Sequence, residues 1–286
     1  MSGELKKAGV MGWPVAHSLS PALHSYWLDK YKINGTYELM PLEAHRLGEA
    51  IQTLGRRGYV GANVTVPHKE FAAKAVGKLD ATAEVLGAVN LIIVDDDESL
   101  EGRNTDGFGF VENLKAGAPG IDLKDTPVCL LGAGGTTKAV AYALLSEGAR
   151  LCISNRTQSK AEAVRDQLKS HIEGEVQIVP WAERSQALSG VKILVNTTSL
   201  GMVGQPALEL DLSRLSTDAV VTDCVYAPLE TDLLARAKSH GCKTVDGLGM
   251  LIHQARPAFH AWFGVDPAVD PKLRDILIQR QQELST

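Results

Sequence analysis

Short apolar runs alternate with longer amphipathic stretches along the whole chain, and this alternation predicts an α/β fold. In the first third, runs rich in β-branched residues predict strands near 8–12, 36–41, 61–66, 88–94 and 99–103. The stretches between them read as helices: "SPALHSYWLDKY", "EAHRLGEAIQTLGRRG" and "HKEFAAKAV". Ser20 is a good N-cap for the first helix, and Pro21 suits its first helical position.

A second αβ unit begins near residue 127, where "VCLLGAGGTTKAVAYALLSEGARLCISNRT" reads as strand, glycine turn, helix and strand. Further strands are predicted at 175–179, 193–197, 219–225 and 243–245. The Gly/Pro/Asp-rich stretch "KAGAPGIDLKDTP" before this unit favours a domain junction. The last forty residues are helical and amphipathic, and Pro257 should bend or interrupt that run.

Composition narrows the class of protein. The chain has 286 residues, 44% hydrophobic and 22% charged, which is typical of a globular protein of two domains or one large α/β domain. A net charge of −5 argues against nucleic acid as a partner. No apolar run approaches the ~18 residues of a membrane span, and "MSGELKKAGVMGWP" lacks the apolar region of a signal peptide, so we expect no membrane association.

Cysteine and histidine usage points to a reducing compartment without a metal centre. Cys129, Cys152, Cys224 and Cys242 lack CxxC spacing and each sits in a strand-like segment, so we expect reduced packing residues in a cytoplasmic protein. The eight histidines show no paired ligand spacing, so no metal site is expected.

The motif "GAGGTT" follows an apolar strand and opens a helix, which predicts dinucleotide binding. Its glycines permit a tight turn and let the backbone approach a pyrophosphate at the helix N-terminus. Thr137 at the third small position weakens the motif. The alternative is a glycine turn needed only for packing.

The second strand of this unit ends in "SNRT", without the acid that accepts from the ribose 2′-hydroxyl of NAD. Arg156 stands there instead, with Lys160 soon after, and both cations suit a 2′-phosphate. This predicts NADP rather than NAD. The alternative interpretation is that Arg156 and Lys160 are solvated residues at the start of a helix and bind no ligand.

Polar residues also gather in the first half. In "GANVTVPHKE", the strand must stop before Pro67, Lys69 stands just beyond it, and Asn63 and Thr65 share a strand face. Ser18 and Ser20 lie at a helix N-terminus that suits a carboxylate, although capping by Ser20 alone would explain one of them. Further polar positions are Asn90, Asn104, Thr105 and Asp106. Together they exceed what turns and caps require.

At these residues the chain resembles the shikimate dehydrogenase family over its whole length. The motifs that carry the resemblance occur in the family's order: "GWPVAHSLSPALH", "NVTVPHK", "GAVN", "GRNTDGFG", "GAGG", "NRT", "NTTSLGM", "DCVYAPLET" and "DGLGMLIHQARPAFHAWFG". The resemblance implies reversible NADPH-dependent reduction of 3-dehydroshikimate to shikimate, in aromatic amino-acid biosynthesis.

The resemblance also implies roles for individual residues. Lys69 and Asp106 would form the catalytic pair, and the substrate carboxylate would be held by Ser18, Ser20 and Tyr226. The substrate hydroxyls would be held by Thr65, Asn90, Asp106 and Gln254, with Asn63 completing the substrate set. The cofactor would be lined by Gly132, Ala133, Gly134, Gly135, Thr136, Asn155, Arg156, Thr157, Lys160 and Gly247.

The predicted architecture has two domains with the active site in the cleft between them. Residues 1–105, completed by helices at about 252–286, would form a substrate-binding α/β domain with a mixed sheet. Residues 106–251 would form a Rossmann-like, doubly wound NADP domain. A monomer and a homodimer are both compatible with the sequence.

Three departures from the family pattern leave substrate choice open. Leu91 stands where the family usually has Thr, Ser25 where Asn often stands, and Thr136 and Thr137 where small residues are usual. A lost hydroxyl near the substrate would change selectivity, so a quinate/shikimate dehydrogenase of broader specificity is the first alternative. A non-catalytic NADP-binding regulatory module is the second.

The chemistry of ketone reduction explains a lysine beyond the strand. The cofactor supplies the hydride, and the protein must supply a proton and stabilise the forming oxyanion. An ammonium group does both, so Lys69 is the predicted general acid, and Asp106 is predicted to orient it while bonding the same substrate oxygen.

Overall fold

The structure is a computed structural model that describes residues 4–285, and it divides into two compact units. One unit contains the chain up to Thr105 and from Gln254 onwards. The other unit contains residues 106–253.

The first unit is built on a six-stranded mixed sheet with the strand order β2-β1-β3-β5-β6-β4. Strands β1, β2 and β3 are parallel, whereas β5 pairs antiparallel with both β3 and β6. Its elements in chain order are β1 (Lys6–Gly12), α1 (Ser20–Tyr31), β2 (Gly35–Pro41), α2 (Ala44–Gln52), β3 (Gly61–Val64), α3 (Lys69–Ala75), β4 (Lys78–Leu79), α4 (Ala81–Leu86), β5 (Leu91–Val94) and β6 (Leu100–Arg103).

The second unit is built on a six-stranded parallel sheet. Its elements are α5 (Asp106–Gly117), β7 (Pro127–Leu131), α6 (Gly135–Ser146), β8 (Arg150–Asn155), α7 (Gln158–Lys169), β9 (Val176–Pro180), β10 (Ile193–Asn196), β11 (Val220–Asp223), α8 (Asp232–His240) and β12 (Lys243–Val245). The strand order β9-β8-β7-β10-β11-β12 is the 3-2-1-4-5-6 order of dinucleotide-binding sheets. Its topological switch point lies between β7 and β10, where such sheets bind their ligands.

The chain ends with two further helices, α9 (Leu248–Phe263) and α10 (Pro271–Ser285). The C-terminal part of α9 supplies Phe259, Trp262 and Phe263 to an aromatic cluster of the first unit, together with His24, Trp27 and Tyr37. The indole N–H of Trp262 donates to the Ile92 carbonyl at 3.0 Å. The last part of the chain therefore completes the core that the first hundred residues begin.

The pattern of alternating elements is confirmed, and several local expectations are corrected. Strand β3 ends at Val64, three residues before Pro67, so Thr65 lies beyond the strand and does not share a strand face with Asn63. Ser20 is the first helical residue, and the N-cap is Leu19, which makes no side-chain capping bond. Helix α9 continues through Pro257 without interruption.

Other differences concern connections. The Gly/Pro/Asp stretch joins α5 to β7 within the second unit and is not a junction between units. Strand β4 and helix α4, of two and six residues, are too short to produce a periodic pattern, and the sequence did not predict them. The four cysteines are free, with Cys129 and Cys152 in paired strands, but Cys224 and Cys242 stand beside strands rather than in them.

Candidate functional site

The glycine turn of the second unit connects β7 to α6. Gly132 has φ +122°, a backbone conformation that favours glycine, and a Cβ there would lie 2.6 Å from the Thr197 hydroxyl. At Gly134 and Gly135 a Cβ would meet no atom within 4 Å. The first glycine is thus required by the protein itself, whereas the other two leave open space at the start of a helix. That space suits a pyrophosphate.

A threonine pair holds this turn in place. The Gly134 N–H donates to the Thr137 hydroxyl at 3.0 Å, and the Thr137 and Thr197 hydroxyls are 2.7 Å apart. Thr197 also donates to the Leu131 carbonyl at 2.8 Å. Thr137, which weakens the glycine motif when only the sequence is considered, therefore ties the turn to the loop after β10.

The turn after β8 and the first turn of α7 carry the two residues predicted to bind the 2′-phosphate. Arg156 and Lys160 are both exposed, and no hydrogen bond or ion pair engages their side chains among residues 4–285. The Asn155 side chain donates to the Thr157 carbonyl at 2.9 Å and so shapes the turn. The exposed guanidinium of Arg156, with the ammonium of Lys160 four residues further along the chain, matches the charge of a phosphorylated ribose.

A cavity of about 220 Å³ lies at this end of the parallel sheet. Its walls come from the glycine turn, the end of β8, the residue after β9 and the loop after β10: Gly132, Ala133, Gly134, Asn155, Arg156, Trp181, Thr197, Thr198, Ser199 and Leu200. The cavity sits at the switch point of the sheet, where dinucleotide-binding folds bind their ligand. The residues present therefore fit a dinucleotide with a 2′-phosphate. Trp181 was not predicted from the sequence.

The loops after β10 and β11 are joined by one buried carboxylate. Asp223 accepts hydrogen bonds from Asn196 Nδ2 at 3.0 Å, from the Val225 N–H at 2.9 Å and from Thr231 Oγ1 at 2.8 Å. Burial raises the pKa of Asp223 to about 6, although all three hydrogen bonds favour the ionised form. These loops carry the motifs "NTTSLGM" and "DCVYAPLET", so the carboxylate fixes segments that the sequence singled out without explaining.

Gly247 and Tyr226 lie near the same loops. A Cβ on Gly247 would come within 2.8 Å of the carbonyl oxygens of Asp223, Cys224 and Val225, so this glycine is needed for close backbone packing. Tyr226 is half-buried, and burial raises its pKa. The packing requirement explains Gly247 without a ligand, and its predicted contact with the cofactor stays a prediction.

Asp106 begins α5 and is buried. Gly107 brings that helix close to α6, because a Cβ there would lie 2.6 Å from the Ala139 carbonyl oxygen. The helix that carries Asp106 is therefore packed against the helix that starts at the glycine turn. Burial chiefly, with the charges of Asp223 and Asp106 adding, raises the pKa of the Cys224 thiol.

In the first unit, Lys69 is the first residue of α3 and is half-buried. Its carbonyl accepts the Val89 N–H at 2.9 Å. The preceding residue, His68, is buried, and its ring Nε2 lies 2.7 Å from the Leu42 carbonyl oxygen. The backbone that presents Lys69 is thus anchored on both sides. Because Lys69 and Asp106 belong to different units, their pairing stays a prediction.

The predicted hydroxyl-binding amides are engaged in a network within the first unit. The Tyr37 hydroxyl donates to Asn63 Oδ1 at 2.7 Å, and Asn63 Nδ2 donates to the Asn90 carbonyl at 3.0 Å. Asn90 Nδ2 donates to Thr105 Oγ1 at 3.0 Å, and the Thr105 N–H donates to Asn90 Oδ1 at 2.9 Å. The sequence singled out Asn63 and Asn90 as separate polar positions, and it did not identify Tyr37.

The same network reaches the last segment of the chain. Thr105 Oγ1 lies 2.9 Å from the carbonyl oxygen of Gln254 and donates to it. The structure therefore brings Asn63, Asn90 and Gln254 into one region of the first unit. Thr65 is half-buried in the segment just after β3, where its N–H donates to the Met11 carbonyl at 2.9 Å.

The two serines before α1 have different local roles. Ser18 Oγ accepts the Ser20 N–H at 3.3 Å, so Ser18 supplies the local capping bond that had been expected from Ser20. The Ser20 side chain instead bonds the buried Tyr37 hydroxyl, whose pKa is raised by burial. Both serines are half-buried.

The departures from the family pattern also have clear positions. Leu91 is fully buried in β5 and pairs with Asn63 across the sheet, so the two side chains lie on one face. Ser25 is exposed on α1. Within the described part of the chain, no group of three or more His, Cys, Asp or Glu side chains is arranged to hold a metal ion. Nor is any described helix long and apolar enough to cross a bilayer.

Comparison with known protein families gives three successive matches along the chain. A shikimate dehydrogenase substrate binding domain matches residues 10–92, a shikimate/quinate 5-dehydrogenase domain matches residues 115–203, and a shikimate 5′-dehydrogenase C-terminal domain matches residues 247–271. The first match covers most of the mixed sheet, and the second covers the glycine turn and the cavity.

Individual proteins match over nearly the full length. The shikimate dehydrogenase (NADP(+)) of Paramagnetospirillum magneticum is 48% identical over 97% of this chain and 100% of its own length. A crystal structure of a shikimate dehydrogenase in complex with NADP+ has a TM-score of 0.88 and 33% identity, covering 100% of this chain and 98% of that one. Quinate dehydrogenase from Corynebacterium glutamicum in complex with NAD has a TM-score of 0.87 and 30% identity, covering 98% of this chain and 99% of that one. The predicted fold class is thereby confirmed.

Proposed function

Because this chain belongs to the shikimate dehydrogenase family, an oxidoreductase family, we propose that it reduces 3-dehydroshikimate reversibly to shikimate with NADPH. The product would feed chorismate and aromatic amino-acid biosynthesis. The observation that supports this assignment most directly is that the open glycine turn and the exposed Arg156 line one cavity in a sheet of dinucleotide-binding order. It accounts for the choice of NADP, the cofactor in the names of the relatives.

The second unit would hold the cofactor through its backbone and its exposed cations. The open side of Gly134 and Gly135 at the start of α6 suits the pyrophosphate, and Arg156 with Lys160 suits the 2′-phosphate. When bound, the nicotinamide supplies the hydride. The remaining predicted cofactor residues, Ala133, Thr136, Asn155, Thr157 and Gly247, belong to the same unit.

The first unit would hold and protonate the substrate. The ammonium of Lys69 donates a proton to the oxygen that becomes the alcohol, and it accepts that proton in the reverse direction. Asp106, the first residue of the second unit, orients the lysine and accepts a hydrogen bond from the same oxygen in its alcohol form. The buried network around Asn63 and Asn90 fixes these amides, because each is already bonded to Tyr37 or Thr105. Such fixed donors suit a substrate with several hydroxyls.

The substrate carboxylate would be held by Ser18 and Ser20 with Tyr226, and its hydroxyls by Thr65, Asn90, Asp106 and Gln254. The two serine hydroxyls stand at the start of α1, where backbone N–H groups also favour an anion. We further propose that the enzyme is cytoplasmic, since its four free cysteines suit a reducing compartment. It would act as a monomer or a homodimer.

The test is NADPH absorbance at 340 nm, with shikimate or quinate crossed against NADP+ or NAD+. The proposal predicts the highest kcat/KM for shikimate with NADP+. Comparable or better turnover of quinate, particularly with NAD+, would instead support the broader enzyme. Fully buried Leu91 and the similarity to a quinate dehydrogenase favour keeping quinate in the assay. Tight NADP binding without turnover of either alcohol would contradict the enzyme and support a regulatory module.

A further inference from the structure

Trp181 is the aromatic member of the cavity wall in the second unit, and neither its position nor its role was predicted from the sequence. It directly follows β9, and it lines the cavity together with Arg156 and the glycine turn. Of the four tryptophans in the chain, it alone belongs to residues 106–253.

The register of the parallel sheet brings Trp181 beside Arg156. Asn155 at the end of β8 pairs with Pro180 at the end of β9. Arg156 and Trp181 are the next residues on these neighbouring strands, which lie about 4.8 Å apart in a sheet. The predicted 2′-phosphate ligand and the indole therefore emerge side by side at the carboxyl edge.

The indole is held rigidly. The Arg184 guanidinium lies 4.5 Å from the ring centroid in a cation–π contact, and Arg184 Nη1 donates to the Trp181 carbonyl at 2.6 Å. Arg184 is itself fixed by hydrogen bonds to the Glu209 carbonyl. The ring also packs against the buried core of the second unit. A preorganised aromatic surface loses little entropy when a ligand stacks on it.

We propose that Trp181 is the stacking surface for the adenine ring of NADP, and that it extends the predicted phosphate site of Arg156 to the base. Strands β7, β8 and β9 are successive neighbours in the sheet. The pyrophosphate turn follows β7, the ribose position follows β8, and Trp181 follows β9, so the three lie in a row along the carboxyl edge. Purine bases stack on aromatic side chains irrespective of their hydrogen-bonding edges. This inference rests on the proposed NADP-dependent function.

The direct test uses adenosine 2′,5′-bisphosphate, which carries the base and the 2′-phosphate but no nicotinamide. Isothermal titration of the full chain should show that Trp181→Leu weakens its Kd about ten-fold, within the range found when a base loses its aromatic partner. Trp181→Phe retains a ring and should stay within about three-fold of wild type, because stacking survives. Trp13→Leu, which removes an exposed indole of the first unit, is the matched control and should change nothing.

Indole fluorescence provides an independent readout. Saturating bisphosphate should quench part of the wild-type emission, and the Trp181→Phe protein should bind without that quenching. In steady-state assays of ketone reduction, Trp181→Leu should raise the KM for NADPH and leave kcat and the KM for 3-dehydroshikimate unchanged.

Two results would overturn the inference. One is a folded Trp181→Leu protein with the wild-type Kd for the bisphosphate. The other is equal loss of binding in the Leu and Phe variants together with a lowered Tm, which would make the indole a packing residue only. Neither result affects the shikimate assay, so failure of the stacking role and failure of the dehydrogenase proposal are distinguishable.

Discussion

The two units prepare their polar groups in opposite ways. In the first unit, the amides of Asn63 and Asn90 are bonded to Tyr37 and Thr105 inside the protein. In the second unit, the glycine turn leaves open space and Arg156 stands exposed without an ion pair among the described residues. The first unit thus fixes polar side chains by internal hydrogen bonds. The second unit instead offers an open backbone turn and an exposed cationic side chain.

This difference suits the two ligands of the proposed reaction. A small polyhydroxylated acid offers donors and acceptors at fixed angles, so fixed amides discriminate between isomers. A dinucleotide phosphate carries several negative charges, which backbone N–H groups and exposed cationic side chains can bind. We therefore expect substitutions in the first unit to act on turnover and selectivity, and substitutions at the turn to act on cofactor affinity.

The largest expected effect follows Lys69→Ala. Removing a general acid should lower kcat by about 10²–10⁴-fold with a modest change in KM. Lys74→Ala is the matched control, because Lys74 is exposed on the same helix, α3. Steady-state kinetics in both directions measure the effect. A Lys69→Ala enzyme with near-wild-type kcat would remove Lys69 from the mechanism.

The next largest effect concerns the cofactor. Arg156→Ala should weaken the affinity for NADPH about 10- to 100-fold, since hydrogen bonds to charged groups contribute about 1.5–3 kcal/mol. It should barely change the affinity for NADH, which lacks the 2′-phosphate. Lys169→Ala, at the exposed C-terminal end of helix α7, which follows Arg156 in the chain, should change the affinity for neither cofactor. Titration of both reduced cofactors by fluorescence separates the cases. Equal losses for NADPH and NADH would contradict the 2′-phosphate assignment.

These contrasts show which features a single sequence reveals. The ends of α1 and β12 and the glycine turn were predicted, because hydrophobic periodicity and glycine spacing are local signals. The contacts of Tyr37 with Asn63, and of Trp181 with the cavity, depend on which strands are neighbours and in what register. Nothing local distinguishes such residues from ordinary core aromatics. A resemblance to a family also names motifs without showing what Asp223 or Thr137 holds together.

Buried ionisable groups extend the comparison to stability. His24 lies in the aromatic cluster of the first unit, and neither of its ring nitrogens has a hydrogen-bond partner among residues 4–285. Burial lowers its pKa from 6.5 to about 3. Between these pH values the unfolded chain binds a proton that the folded protein excludes, so stability falls as the pH falls. For Asp223 of the second unit, a pKa raised from 3.8 to about 6 has the opposite sign. Its folded form binds the extra proton, and stability falls as the pH rises through this range.

We therefore expect His24→Phe to flatten the acid side of the stability profile. The difference in unfolding free energy between pH 8 and pH 5 should shrink by about 2 kcal/mol, from the linkage of one proton over this range. Urea unfolding at both pH values gives that difference independently of any packing cost of the larger ring. His45→Gln, at a histidine whose side chain is 71% exposed, should leave the profile unchanged. An unaltered profile in His24→Phe would show that His24 binds its proton equally well in the folded protein and in the unfolded chain.

The smallest expected effect on stability gives the sharpest test of the glycine turn. Gly134 has φ −94°, which alanine adopts readily, and its Cβ would meet no protein atom within 4 Å. Gly134→Ala should therefore leave the unfolding free energy within about 0.5 kcal/mol of wild type, as for most surface substitutions. The substitution should nevertheless weaken the binding of NADPH, because the new methyl group fills the open side of the turn. Gly132→Ala, in contrast, should lower the unfolding free energy. Alanine is strained at the positive φ of this position, and its Cβ would overlap with Thr197. If Gly134→Ala bound NADPH as wild type does, the open side of this turn would not be the pyrophosphate site, whatever the strand order suggests.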